Sequence, residues 1–125
     1  MLASDADWAW PAALRDIFRP RGVDLLVAGS TRDFVNVIAN KRIYATIIDM
    51  DSPRYNGLAT IRIIRSEYPL MPCLLLKNRP NKALLDEALR LGVFSVIDKP
   101  VDMGILREQL DRLFVKRYGS NIFAR

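Results

Sequence analysis

Ile47-Ile48-Asp49-Met50-Asp51-Ser52-Pro53-Arg54-Tyr55-Asn56-Gly57-Leu58 is the stretch on which the fold turns. It begins inside an apolar run, Ile43–Ile48 (IYATII), that has strand length and no clean alternation, the pattern of a strand buried on both faces. The run stops at two acids, and Ser, Pro, Asn and Gly then break the chain into a turn. Apolar residues return at helical spacing over Gly57–Tyr68, with Leu58, Ile61 and Ile64 on one side and Arg62 and Arg65 on the other. Tyr68-Pro69 ends that helix, because a residue before proline avoids the α region. Strand, acidic turn and helix together make one α/β unit.

The same unit repeats outward in both directions. Val23–Val27 (VDLLV), Cys73–Leu76 (CLLL) and Val93–Ile97 (VFSVI) are further strand-length runs, and Met1–Ser4 is a short, weak one. Between them, Ser30 is placed to cap a helix over Thr31–Asn40, with Asp33 as its capping-box partner and Phe34 and Ile38 inside. Asn81–Leu91 carries Leu84, Leu85, Ala88 and Leu89 and is closed by Gly92. Asp102–Arg117 begins on an Asp cap and turns Leu106, Leu110 and Leu113 inward. Pro11–Phe18 makes a first helix, with its proline at an early position. Five alternations of strand and helix predict a parallel sheet covered on both faces. Residues 1–117 form the expected domain, and residues 118–125 read as a tail or the start of a connection.

Composition narrows the chemistry. The 125 residues suit one domain, half of them hydrophobic, with 19 basic and 14 acidic residues giving +5. Lys116, Arg117 and Arg125 supply part of that surplus from the last ten residues. The chain has no histidine, which excludes a His metal ligand, a Ser-His-Asp triad and a phosphohistidine donor within it. The single cysteine, Cys73, lies in an apolar run and reads as a small buried hydrophobe, in keeping with a reducing cytoplasm. No signal-peptide pattern and no membrane-length apolar stretch occurs, so a cytoplasmic location is expected.

In open parallel sheets, sites form beyond the carboxyl ends of the strands. Those ends read Ser4-Asp5-Ala6-Asp7, Asp49-Met50-Asp51, Lys77-Asn78 and Asp98-Lys99-Pro100. Each is ordinary taken singly, since Asp turns and caps well and Lys-Pro is a common turn. Together they bring carboxylates and lysines from distant positions to one rim. Asp5, Asp7 and Asp49 would suit a hard divalent cation such as Mg²⁺. A carboxylate beside such a cation can act as a nucleophile toward phosphorus, with a lysine neutralising phosphoryl oxygens.

With these residues the sequence resembles a response-regulator receiver domain over about Met1 to Phe114. The stretch Ile47–Leu58 is similar to the family's strand, phosphoacceptor Asp, spacer, Pro, spacer and Gly. Ala88-Leu89-Arg90-Leu91-Gly92 followed by Asp98-Lys99-Pro100 is similar to its helix, Gly, strand and Lys-Pro turn. The resemblance implies a flavodoxin-like (βα)5 fold with strand order 2-1-3-4-5. It implies Asp49 as phosphoacceptor, Lys99 as the phosphate-contacting lysine, a cis bond before Pro100, and the carbonyl of Asp51 as a Mg²⁺ ligand.

Three positions depart from that pattern. An ungapped count back from Asp49 puts the family's adjacent acidic pair at Asp5 and Ala6, so Asp7 either replaces the lost carboxylate or caps the first helix. Lys77 stands where the family has a switching Ser or Thr. Its ammonium either pairs with Asp49 without any phosphate or snorkels to solvent. Val96 stands where the family has a mobile aromatic.

The resemblance implies a regulatory, non-enzymatic domain of two-component or phosphorelay signalling. A sensor histidine kinase or another signalling protein would be its partner. Dimerisation would use the fourth helix, fifth strand and fifth helix, where Lys99, Arg107 and Arg112 lie. The alternative is a pseudo-receiver acting by protein contact alone. An enzyme on the same fold lacks a Gly-rich phosphate loop here. Nucleic-acid binding would need the basic tail or a further output domain.

Overall fold

The computed structural model describes residues 1–4, 15–16, 19–22, 25–28, 30–50, 57–78 and 82–119. Five parallel strands, β1 (Leu2–Ser4), β2 (Leu26–Ala28), β3 (Thr46–Asp49), β4 (Cys73–Lys77) and β5 (Ser95–Asp98), form one sheet in the order β2-β1-β3-β4-β5. Four α-helices have bounds among the described residues, α1 (Thr31–Asn40), α2 (Gly57–Glu67), α3 (Lys82–Arg90) and α4 (Met103–Tyr118), with a 3-10 turn at Arg19–Arg21. Of the helix expected over Pro11–Phe18, only Arg15 and Asp16 lie among the described residues, and both are helical.

The near-continuous apolar runs have the cause proposed for them: the sheet is buried on both faces. Side chains alternate across a strand, so each run feeds two cores. Ala3, Ile47, Leu74, Leu76 and Ile97 point to one face, against Leu106, Leu110, Leu113 and Phe114 of α4. Leu2, Ile48, Cys73 and Leu75 point to the other, with Phe34 and Ile38 of α1, Ile61 and Ile64 of α2 and Ala88 of α3. Short β1 is the second strand of the sheet, and Leu2 and Ala3 are fully buried. Its neighbours on both sides, rather than its length, hold it in place.

Local signals explain the helix ends. Ser30 Oγ accepts from the backbone N–H of Asp33 at 3.1 Å, capping α1. Asp102 caps α4 by accepting from the N–H groups of Gly104 and Ile105. α4 closes on Gly119 at φ 63°, a left-handed conformation that suits glycine. Arg65 ties two loops together: its guanidinium donates to the carbonyls of Leu91 (2.7 Å) and Pro69 (2.9 Å).

Several boundary or face expectations change, β5 for one running over Ser95–Asp98 rather than Val93–Ile97. β3 starts at Thr46 rather than Ile43, because pairing begins where Thr46 meets Leu2 and Cys73 in register. Tyr118, read as tail, is the last residue of α4; it donates to the carbonyl of Tyr44 and meets that ring edge-on at 5.5 Å. Leu89, expected inside, is 54% exposed, so α3 buries a narrower stripe centred on Ala88.

Candidate functional site

Asp49 ends β3 at the carboxyl edge of the sheet, and its side chain is 3% exposed. Its backbone stays in the ladder, pairing in register with Leu76 of β4, and the next residue, Met50, donates to the carbonyl of Leu76 at 2.8 Å. The carboxylate is thereby fixed at the rim by two neighbouring strands. Gly57 opens α2 beneath it: a Cβ there would lie 2.5 Å from the sulfur of Met50. A larger residue there would make the Met50 thioether shift, so the glycine is favoured by this close approach and not by an unusual backbone angle.

Lys99 reaches the same point from β5. Its backbone N–H extends the β4–β5 ladder by donating to the carbonyl of Lys77 at 2.8 Å. Its Nζ then donates to Asp49 Oδ1 at 2.5 Å, with the lysine side chain 16% exposed. The Lys99-Pro100 bond is cis, as expected. A cleft of about 430 Å³ opens beside Lys99, lined among the described residues by Asn78, Lys99, Pro100 and Val101. Asp49 and Lys99, fifty positions apart in sequence, thus meet at the carboxyl edge of the sheet.

Lys77 does not do what the first of its two readings required. Lys77 and Asp98 are register partners on β4 and β5, and Lys77 Nζ donates to Asp98 Oδ1 at 2.6 Å. Asp98, not Asp49, is the carboxylate it pairs with. Asp98 is 81% exposed, so this pair sits in high dielectric and contributes little to stability. The Lys77 stem lies along an apolar hollow of about 10 Å³ bounded by Met50, Leu75, Leu84, Leu85, Ala88 and Val96. That hollow is too small to admit a side chain that swings in from outside, or more than about one water. Lys77 thus packs its methylenes inward and carries its charge to the rim. The strand-end triplet Asp98-Lys99-Pro100 does not by itself mark Asp98 as a site residue; only the β4–β5 register shows what it faces.

Asp5, Asp7 and Asp51 lie outside the described residues, as does Ala6. Among the described residues no cluster of three potential metal ligands forms. Asp49 is therefore the one described carboxylate of the expected cation set. Cys73 is buried, its thiol pushed above its ordinary range by that burial, and packs against Thr46 Oγ1 at 3.1 Å; it has no part in the rim.

The family model of the response regulator receiver domain matches residues 3–111. The chain belongs to that family. Receiver domains are signalling domains of two-component systems, and the five-stranded order seen here is theirs. The chain is 33% identical over 111 residues to the Regulator of RpoS of Escherichia coli (strain K12), covering 88% of this chain and 33% of that protein. It is 26% identical over 86 residues to a putative response regulator NtrX-like protein of Rickettsia bellii, covering 67% of this chain and 18% of that one. These curated relatives are thus several times longer than the part matched. A crystal structure of a response regulator receiver protein from Pseudomonas putida superposes with TM-score 0.79 at 25% identity, covering 89% of this chain and 93% of that one. Receiver domains generally bind Mg²⁺ in their acidic pocket. No helix among the described residues is long and apolar enough to cross a membrane.

Proposed function

We propose that this receiver domain accepts a phosphoryl group on Asp49 and signals through contacts other than the usual hydroxyl–aromatic relay. The observation that supports it is the 2.5 Å pair between Lys99 Nζ and Asp49 Oδ1 at a nearly buried rim position. A histidine kinase or a small phosphodonor would present phosphorus to the Asp49 carboxylate. The new P–O bond forms as the P–N bond to a phosphohistidine, or the P–O bond to a small donor, breaks. The leaving group departs with the bonding electron pair and takes up a proton. Lys99 is held where phosphoryl oxygens gain charge, and an ammonium in a water-poor site stabilises that charge strongly. When bound, Mg²⁺ would neutralise the same oxygens. Asp49, Asp5 and Asp7 would hold it, with the Asp51 carbonyl. Ala6 removes one carboxylate from the family's set, so weaker Mg²⁺ binding is expected.

A second reading, phosphorylation-independent signalling, draws on Lys77 and Val96. Lys77 is committed to Asp98 without any phosphate present, and Val96 offers no polar tip to move. The two readings separate on one experiment. The chain is incubated with acetyl phosphate and Mg²⁺ and followed by intact mass. The phosphoacceptor reading expects a gain of one phosphoryl group that is lost in Asp49→Asn and slowed in Lys99→Met. No gain at saturating Mg²⁺ would leave the pseudo-receiver reading standing.

A further inference from the structure

Opposite the Asp49 rim, at the amino ends of the strands, the surface has a second organised region. One hollow of about 340 Å³ is formed by Met1, Leu26, Ile43 and Tyr44, with Lys41 and Arg42 on its walls. Another of about 360 Å³ is formed by Tyr68, Pro69, Leu70, Met71 and Tyr118. The two meet where the Tyr118 hydroxyl donates to the carbonyl of Tyr44 and the two rings stand edge to face. Leu26, Tyr44, Tyr118 and Leu70 are 37%, 40%, 44% and 81% exposed, so an apolar and aromatic strip runs across this pole.

The charged residues on the wall of the first hollow are both basic, while Glu67, next to Tyr68, is an exposed carboxylate beside the second. Lys41 and Arg42 line the first hollow, and Arg19 lies beside it, its carbonyl bonded to Gly22 N–H, which also lines it. Lys116 and Arg117 come from the last turn of α4, and the Arg117 charge is felt at the Tyr118 phenol. None of these five cations pairs with a carboxylate among the described residues, and the same holds for Arg15, Arg32, Lys82 and Arg107; Arg62, Lys77, Arg90, Lys99 and Arg112 are paired. Cations at helix C-termini are favourable on their own account, which explains Lys116 and Arg117 as charges. It does not explain two hollows bridged by exposed tyrosines. Tyr, Met and Arg together are the residues that protein interfaces enrich, and buried Tyr and Arg anchors dominate binding energy.

We infer that this pole is a docking surface for an acidic protein segment carrying two apolar side chains, one for each hollow, with carboxylates facing Lys41, Arg42 and Arg117. It is separate from the Asp49 rim, at the other end of the strands, so it works whether or not Asp49 is phosphorylated. The tyrosine rings favour a peptide over a nucleic-acid strand. Base stacking needs open ring faces, and here each ring turns an edge or a face to the other.

The test is selection of a random-peptide phage library on the full chain, followed by fluorescence anisotropy with the recovered peptides. Recovered sequences should combine Asp or Glu with aromatic or aliphatic residues, and binding should weaken as salt is raised. The charge reversal Lys41→Glu/Arg42→Glu should weaken binding about tenfold or more, since like charges then face each other. Leu70→Ser, at an 81% exposed position that leaves the core intact, should weaken it as well. Asp49→Asn should leave it unchanged, which separates this surface from the phosphoacceptor reading. Recovery of no acidic–apolar peptides, or peptides that bind both variants at full strength, overturns the inference. So does a single-stranded oligonucleotide that binds more tightly than the peptides and is lost on the charge reversal.

Discussion

Replacing Lys99 with Met should destabilise the domain far more than neutralising its partner. Asp49 is 3% exposed and Lys99 16%, with Nζ and Oδ1 2.5 Å apart. Lys99→Met keeps the stem's bulk but leaves a carboxylate buried without this cation. Removing one partner of a buried pair typically costs ~3–5 kcal/mol. With a urea m-value of about 1.5 kcal/mol/M for a chain of this size, ~3 kcal/mol moves the midpoint by roughly 2 M. Asp49→Asn does the reverse: it leaves an ammonium on a flexible stem that can turn to water, and should cost about 1 kcal/mol or less. The double variant should return most of the Lys99→Met loss, giving a coupling of about 2 kcal/mol or more in the cycle. The assay is urea unfolding followed by circular dichroism, with EDTA present so that no metal substitutes for the lysine. Equal losses from the two single variants would refute the reasoning, as would a Lys99→Met loss under about 1 kcal/mol.

Other outcomes follow from the packing. Leu74→Ala, at a fully buried position in the α4-side core, should cost ~3–4 kcal/mol by the same urea assay, while Leu70→Ala, at 81% exposure, should stay within about 0.5 kcal/mol. Asp102→Ala removes the acceptor for the N–H groups of Gly104 and Ile105 and should cost about 1 kcal/mol. Burial raises the Tyr118 phenol above its ordinary value near 10, a rise that Arg117 partly opposes and Tyr44 adds to. The folded state then holds that proton longer than the unfolded state does. The resulting stability is complete below pH ~10 and is lost as pH climbs through the raised value. Ultraviolet titration should show a late-titrating component that is lost in Tyr118→Phe. Cys73, buried and raised by burial, should resist iodoacetamide until the chain unfolds, and fast labelling of the native protein would contradict its placement.

Much of this was legible because it is local. Ile43–Ile48 and Cys73–Leu76 declared a sheet buried on both faces by lacking alternation, and Ser30 and Asp102 carry their capping roles in their own chemistry. Asp49 and Lys99 were legible as neighbours on one rim because both end strands, and a parallel sheet brings such ends to one edge. The partner of Lys77 was not legible. It depends on the β4–β5 register, which places Asp98 directly opposite, and nothing within Cys73–Asn78 encodes that offset. Leu89 misled for a related reason: it fits the apolar stripe of α3, but the width of that stripe is set by what α3 packs on. Tyr118 looked like tail because the charges Lys116 and Arg117 precede it, yet its contact with Tyr44 extends the helix one residue further. The basic, aromatic pole escaped a reading along the chain because Tyr44 and Tyr118 are 74 positions apart.

A crystal structure of the full chain soaked with beryllofluoride and Mg²⁺ tests the central claim most directly. The account predicts beryllium bonded to an Asp49 carboxylate oxygen, Lys99 Nζ turned from Asp49 onto a fluoride, Mg²⁺ held by Asp49 and the acids near the end of β1, and Lys77 still on Asp98. Beryllofluoride absent from Asp49 at full Mg²⁺ occupancy, or Lys99 pointing away from the bound group, would contradict it.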